Sequence, residues 1–519
     1  MCESTCRLKN RLDLERLKWI ALCIFCFGLV AHGYCFFNAN FSHDILWDLY
    51  EESPDSMVGM GRYLRPVYRL IRGNFTLPAF NGFLELAFMT LSAYVITGLL
   101  DIRSKAMVLL TCGVLITNST MSLMNATFLH DSDAYGFALV MVVLGVWTAV
   151  NKKRGLLISV GFFFVSLGIY QAYINCAIYL FLMLALLALL RGDSVKQVYI
   201  KTFQRMLAIA AAMVLYYIGH VLVLKITGIP ENSAYNTITD VTKGGLWDLV
   251  SRLYDMLRAE ALWFLEPSSY REWLVGLVNV LLLALAVVSL VALGRQEKLK
   301  KASWLGILGI LIAMPFGMNA VALLSGVSHS VTIFPFFLSY PLVFALAERY
   351  LQLPLSHRRK LGAQAAAFCL TGLMLFDNCL YSNTAYLKKQ LEADATLSVF
   401  TRVLERMEQT PGYVVSETPV AIIGSLSDSP LSKEREGFPV NGLGLYTNYS
   451  TTYLNTHRKY ISYYLGYPAV LADNNLQWKM EHNQQVLDMP LFPEQGSIQI
   501  VEGTMVVKFS QPYIEEDGA

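Results

Sequence analysis

The chain has 519 residues, 55% of them hydrophobic, and a mean hydropathy of +0.44; this is too apolar for a soluble globular protein and marks a polytopic membrane protein. Its formal net charge of +2, with lysines and arginines gathered in short loops rather than on one face, argues against nucleic acid as a partner. All nine cysteines precede residue 380, so the polar C-terminal stretch cannot rely on disulfides.

After a polar, basic stretch at 1–16, residues 17–37 supply the ~20 apolar residues that a helix needs to cross a bilayer. Cys23 and Cys26 have metal-ligand spacing but lie inside this run without a second pair, so they read as small membrane hydrophobes. Further apolar runs lie near 78–100, 106–124, 135–150, 206–227, 274–294, 303–324, 332–347 and 361–380. As one helix, 155–190 would be about 53 Å long against a hydrocarbon core of ~30 Å, so it is expected to break near Tyr170-Gln171-Ala172-Tyr173-Ile174-Asn175. That makes about eleven transmembrane helices.

Positive charge fixes the expected orientation, because short cytoplasmic loops carry the excess of Lys and Arg. With the N-terminus cytoplasmic, the inner loops hold Arg103 and Lys105, then Lys152, Lys153 and Arg154, then Arg191 to Arg205, Arg295 to Lys301, and Arg349 to Lys360. The opposite short loops near 125–134, 170–175 and 325–331 hold neither Lys nor Arg. Three longer segments then project outward. Residues 38–77 have no room for a domain of their own and are expected as helices along the membrane surface. Residues 228–273 carry Trp247, Trp263 and Trp273, which suit the headgroup level. Residues 381–519 are expected as an extracytoplasmic α/β module: a helix through 383–408, then strands at Tyr413–Val415, Val420–Ile423, Ser497–Val501 and Met505–Phe509. The division is thus 1–380, transmembrane, and 381–519. A tyrosine-rich run from Tyr446 to Tyr467 suits either sugar contacts or a β-rich core.

Chemistry gathers on the outer side. Phe41-Ser42-His43-Asp44 puts an imidazole beside a carboxylate where a membrane helix ends; the bland alternative is a solvated loop aspartate. His130-Asp131-Ser132-Asp133 precedes the apolar run at Tyr135, where helix capping explains one acidic residue but does not require a histidine and two aspartates. Arg62, Arg65, Arg69 and Arg72 follow helical spacing, with Leu64, Val67, Leu70 and Ile71 free to enter the interface. Guanidinium forks suit a lipid phosphate, and a basic interfacial helix holding any anionic lipid is the competing reading. Pro66 biases Arg65 away from helical geometry, so the helix is expected to start there and to separate Arg62 from the stripe. Glu85, with Asn81 one turn earlier, is a carboxylate inside a span and so a site candidate, although many such groups only pair structurally. Tyr170 and Gln171 fall at the shortened junction, where an aromatic belt is the plain alternative.

The succession Phe41-Ser42-His43-Asp44, Gly61-Arg62, Arg65-Pro66, Thr117-Asn118, Asp131-x-Asp133 and Ile169-Tyr170-Gln171-Ala172 resembles the bacterial glucosyltransferases of the O-antigen conversion type (type II), grouped with the GT-C glycosyltransferases. The similarity covers 15–230 best. The resemblance implies a GT-C-like enzyme in the bacterial plasma membrane that moves a glucosyl unit from undecaprenyl phosphate to a surface glycan. Such transfer needs a carboxylate base for the acceptor hydroxyl and cations near the leaving phosphate. Asp44 is the expected base, with Asp133 or Asp131 as its alternate or as an acceptor-positioning group. Arg62 and Arg65 are expected at the phosphate, and His43, Glu85, His130, Tyr170 and Gln171 complete the substrate-binding set. No cofactor is expected beyond the lipid-linked donor, and no constellation of residues predicts a metal. A lipid-linked sugar transporter, or a surface-glycan assembly protein, is the alternative; the first is expected to show inverted halves and midplane charges, of which Glu85 is the one instance.

Overall fold

The computed structural model describes residues 13–38, 42, 45–46, 54–232, 246–325, 329–426, 428–431 and 454–512. Helix α1 (Leu14–Phe37) starts at Asp13, whose carboxylate accepts the free Arg16 N–H. Two short helices follow in the first long loop, α2 (Pro54–Gly59) and α3 (Arg65–Arg72). The apolar runs then appear as α4 (Pro78–Leu99), α5 (Lys105–Thr117), α6 (Ser119–Phe128), α7 (Ser132–Asn151), α8 (Gly155–Ile169), α9 (Ile174–Leu190) and α10 (Val195–Thr227). Beyond them lie α11 (Leu246–Leu265), α12 (Glu272–Gln296), α13 (Lys301–Met318), α14 (Ala320–Ser325), α15 (Phe334–Phe337), α16 (Ser339–Gln352) and α17 (His357–Gln409).

Among the described residues, eight helical stretches are long and apolar enough to cross a membrane, with Lys105–Asn151 taken as one. Eleven was the expectation. The difference arises because α5, α6 and α7 are separated only by an extended Asn118 and a 3₁₀ turn at Leu129–Asp131, while Gly155–Ile169 and Ser339–Gln352 are short. The break expected near Tyr170 is present: α8 stops at Ile169, Tyr170 is extended, and α9 begins at Ile174.

The expected span at 361–380 and the expected helix at 383–408 are one continuous helix. At 53 residues, α17 is about 80 Å long, far beyond a bilayer core. Polar contacts seat it against the bundle. His32 shares one ring nitrogen with Tyr386 Oη at 2.7 Å and the other with Ile116 O at 2.7 Å. Ser122 and Ser382 hydroxyls meet at 2.6 Å, and Lys389 Nζ donates to Ala126 O.

The last turns of α17 enter a second core. Strands β1 (Pro419–Ile423), β2 (Val470–Leu471), β3 (Ile498–Val501) and β4 (Thr504–Lys508) form a sheet in the order β2-β1-β4-β3, parallel except for the β3–β4 hairpin. Glu502 and Gly503 both take positive φ in its two-residue turn. Side chains alternate across the sheet with period two. Val420, Ile422, Met505 and Val507 pack with Val399, Phe400, Val403 and Met407 of α17; Ala421, Ile423 and Val506 pack with Met480 and Val486 on the other face. Tyr413–Val415, expected as a strand, is a turn closed by Thr418 Oγ1 accepting Val414 N at 3.0 Å, with Ser416 at positive φ.

Candidate active site

The site is built around the end of α6. The last carbonyls of a helix have no partner within it, and here side chains from five other segments supply donors. Cys35 Sγ reaches Asn125 O at 3.4 Å, Lys389 reaches Ala126 O, and Ser42 Oγ donates to Thr127 O at 2.6 Å. Asn81 Nδ2 donates to Leu129 O and His130 O at 3.2 Å each, and Arg72 Nη2 to His130 O at 2.7 Å. The acidic turn that follows is therefore pinned from all sides.

Helix α3 begins at Arg65 with Pro66 in its first turn, as the proline requires. Its i, i+4, i+7 face turns inward. Arg65 Nε lies 2.6 Å from the Asp131 carboxylate, and Arg69 Nη2 is 3.5 Å from Asp131 Oδ1. Arg72 Nε is 3.0 Å from Asp133 Oδ2, which also accepts Tyr68 Oη at 2.7 Å. Burial, then the nearby Asp133 charge, pushes the Tyr68 phenol well above its ordinary range, so it stays a donor. The opposite face of α3 presents Val67, Leu70 and Ile71 outward, with Ile71 86% exposed. Charges inward and aliphatics outward is the pattern of a helix lying against lipid.

Arg62 is different. Its guanidinium lies 5.4 Å from the centre of the Tyr170 ring, and Nη1 is 3.4 Å from Tyr135 Oη. Among the described residues it makes no ion pair with a carboxylate. Tyr135 and Tyr170 pack with ring centres 4.4 Å apart and planes tilted by 39°, and Tyr170 Oη donates to Val331 O at 2.9 Å. Gln171 Nε2 donates to Met60 O at 3.0 Å and to Tyr216 Oη at 2.9 Å, bracing the turn that carries Arg62. Gly61 in that turn has φ 83°, and a Cβ there would strike Tyr216 Oη.

Glu85 is buried, accepting Asn125 Nδ2 on Oε1 at 3.3 Å. Its Oε2, together with Asn81 Oδ1, Asn125 Oδ1 and Asp133 Oδ1, has no hydrogen-bond donor. Gly136 lets α7 approach α4 here: a Cβ on it would crowd Phe88 Cβ at 3.1 Å. His130 Nε2 is 3.7 Å from Asp131 Oδ2. The structure thus brings together Arg65, Asp131, Asp133 and His130, with Arg62 and Tyr170 joined to them through Tyr135, whose hydroxyl lies 3.5 Å from Asp131 Oδ2, and with Gln171 beside them on Met60 and Tyr216. His43, Asp44 and Asp48 lie outside the described residues. Among those described, no group of three His, Cys, Asp or Glu side chains forms a metal cluster. The sequence reading missed Tyr135, Asn125 and Lys389; only Tyr135, one turn after Asp131, carried a signal.

The family model described as Glucosyl transferase GtrII matches residues 33–346. The chain belongs to this family. It is therefore a membrane glycosyltransferase, and every contact just described except that of Lys389 falls within the matched stretch. No curated protein and no solved structure matches the chain. The sheet and the helices around it lie beyond the part of this glycosyltransferase that the family describes.

Proposed function

We propose that this glycosyltransferase moves a glucosyl unit from a polyprenyl-phosphate carrier, undecaprenyl-phosphate glucose, to a cell-surface glycan at the outer face of the bacterial plasma membrane. The observation that carries this reading is the contrast among the arginines. Arg65, Arg69 and Arg72 face the carboxylates of Asp131 and Asp133, whereas among the described residues Arg62 makes no ion pair and lies against Tyr135 and Tyr170. An arginine held in this way beside an acidic turn suits a substrate phosphate.

In the proposed step, the Asp44 carboxylate takes the proton of an acceptor hydroxyl, whose oxygen attacks the anomeric carbon. The bond from that carbon to the phosphate oxygen breaks, and the electron pair leaves on the lipid phosphate, facing Arg62. Asp131 is committed to Arg65, while Asp133 keeps Oδ1 for an acceptor hydroxyl. Eleven spans follow if Lys105–Asn151 is divided at its turn and Gly155–Ile169 and Ser339–Gln352 also cross. The N-terminus is then cytoplasmic and the module at 381–519 extracytoplasmic; a reporter fused after residue 510 that is active only in the cytoplasm would contradict this.

Mass analysis of surface glycans from cells carrying Asp44→Asn tests the chemistry. Loss of the hexose increment, with normal protein level and normal lipid-sugar translocation, is the expected result. Modified glycan from that variant would remove Asp44 as the base.

A further inference from the structure

We infer that the C-terminal module positions the first loop for transfer, and that Leu46 is the residue through which it does so. Three described residues of that loop are tied to three different parts of the protein. Ser42 Oγ donates to Thr127 O at 2.6 Å, two residues before the turn at Leu129–Asp131. Ile45 is fully buried in the core of the membrane bundle. Leu46, its neighbour, is fully buried in the other core, with Val399, Phe400 and Val403 of α17 and with Val507 and Phe509.

Ser42 O accepts Leu46 N at 3.1 Å, and Ser42 Oγ accepts Ile45 N at 3.3 Å, so the two buried residues are hydrogen-bonded to the same serine that holds Thr127. A shift of the module relative to the bundle would strain the seat of Leu46, its bond to Ser42 or the bond from Ser42 to Thr127. The same helix end also receives α17: Ala126 O, adjacent to Thr127, accepts Lys389. Loop and helix thus leave the bundle from neighbouring carbonyls and meet again in the module core.

This inference rests on the proposed base Asp44, which precedes Ile45, and makes Leu46 a positioning residue. The module then governs the rate of the transfer step rather than acceptor choice alone. A displaced reacting group loses rate far more than affinity.

The test uses the full-length enzyme in lipid nanodiscs with synthetic undecaprenyl-phosphate glucose as donor and purified cell-surface glycan as acceptor. Leu46→Ala should lower kcat about tenfold or more while the donor KM stays within about twofold, and Leu46→Met, which refills the socket, should restore most of the rate. Val403→Ala, on the module side of the contact, should repeat the Leu46→Ala pattern. An unchanged kcat in Leu46→Ala overturns the inference, as does an equal loss in Leu46→Ala and Leu46→Met. In case the alanine variants fold poorly, a diazirine analogue of leucine at position 46 gives a readout independent of activity. Crosslinks to the peptides containing 399–407 or 505–509 are expected, and crosslinks confined to the bundle helices overturn it. Activity in Asp44→Asn would instead refute the base assignment and leave these measurements of Leu46 to be judged separately.

Discussion

Arg65 Nε lies 2.6 Å from the Asp131 carboxylate with both side chains closed off from solvent, so this arginine acts first as the aspartate's counter-ion. Removing one member of a buried pair strands the other as an uncompensated charge, at a cost of roughly 3–5 kcal/mol. Arg65→Ala should therefore yield a markedly less stable protein. The double replacement Arg65→Met with Asp131→Leu should recover only part of that loss, because Arg69 then loses its Asp131 partner as well. Thermal denaturation of the purified variants checks both; an Arg65→Ala protein as stable as the parent would show that the pair carries no structural role.

Arg62 should behave in the opposite way. Among the described residues it makes no ion pair and rests against Tyr135 and Tyr170, so Arg62→Ala should leave stability nearly unchanged. A lost charge-assisted contact to a phosphate should raise the donor KM about tenfold to a hundredfold, and Arg62→Lys should restore little of it. Donor titrations of the three proteins measure this, and equal activity in all of them would reduce Arg62 to an interfacial anchor.

Glu85 sits among acceptor oxygens that lack donors. In Glu85→Gln the amide oxygen still accepts from Asn125, and the new NH₂ supplies a donor one helical turn from Asn81, whose buried oxygen has none. That variant should stay within about 1 kcal/mol of the parent, whereas Glu85→Ala should cost about 1–3 kcal/mol by stranding the Asn125 amide. Denaturation midpoints decide. A glutamine variant as damaged as the alanine one would mean that the carboxylate charge itself is required.

His457 predicts how the module responds to acid. Packed between the Phe400 and Phe509 rings, it is held by burial at about 4, below the ordinary 6.5. Above pH 6.5 neither the folded nor the unfolded state binds the proton, and stability is full. As pH falls from 6.5 toward 4 only the unfolded state binds it, so stability drops by about 1.4 kcal/mol per pH unit, about 3 kcal/mol in all. His457→Phe should flatten this slope. Limited proteolysis of the module at pH 7 and pH 5, in parent and variant, measures it, and an equal slope in both would assign the sensitivity elsewhere.

Local chemistry was readable in the sequence and long-range pairing was not. Pro66 announced the start of α3, the excess length of 155–190 forced the break at Tyr170, and alternating aliphatics marked β1 and β4. The arginine face and the acidic turn were both visible. Which arginine would lack a carboxylate among the described residues was not, because that depends on how α3 lies against the acidic turn. The fusion of the expected span and helix into α17 was equally hidden: two polar residues beyond the expected span, Ser382 and Tyr386, are matched by Ser122 and His32, far away in the chain. Tyr413–Val415 has strand composition, yet the Thr418 hydroxyl bond bends it into a turn.

The seat of Leu46 has a consequence for biosynthesis. The loop that bears it emerges from the ribosome early, right after the first apolar helix, whereas Val507 and Phe509, which complete its socket, are made hundreds of residues later. Domains tend to fold in the order in which they are made, and here that order leaves the loop waiting. Every span could be inserted, and the arginine and aspartate pairs closed, while Leu46 still lacks its place. Ribosomes halted before the central strand β4 would thus leave a fully inserted but unassembled protein, and the enzyme would begin to work only once that strand had been made and had joined the sheet.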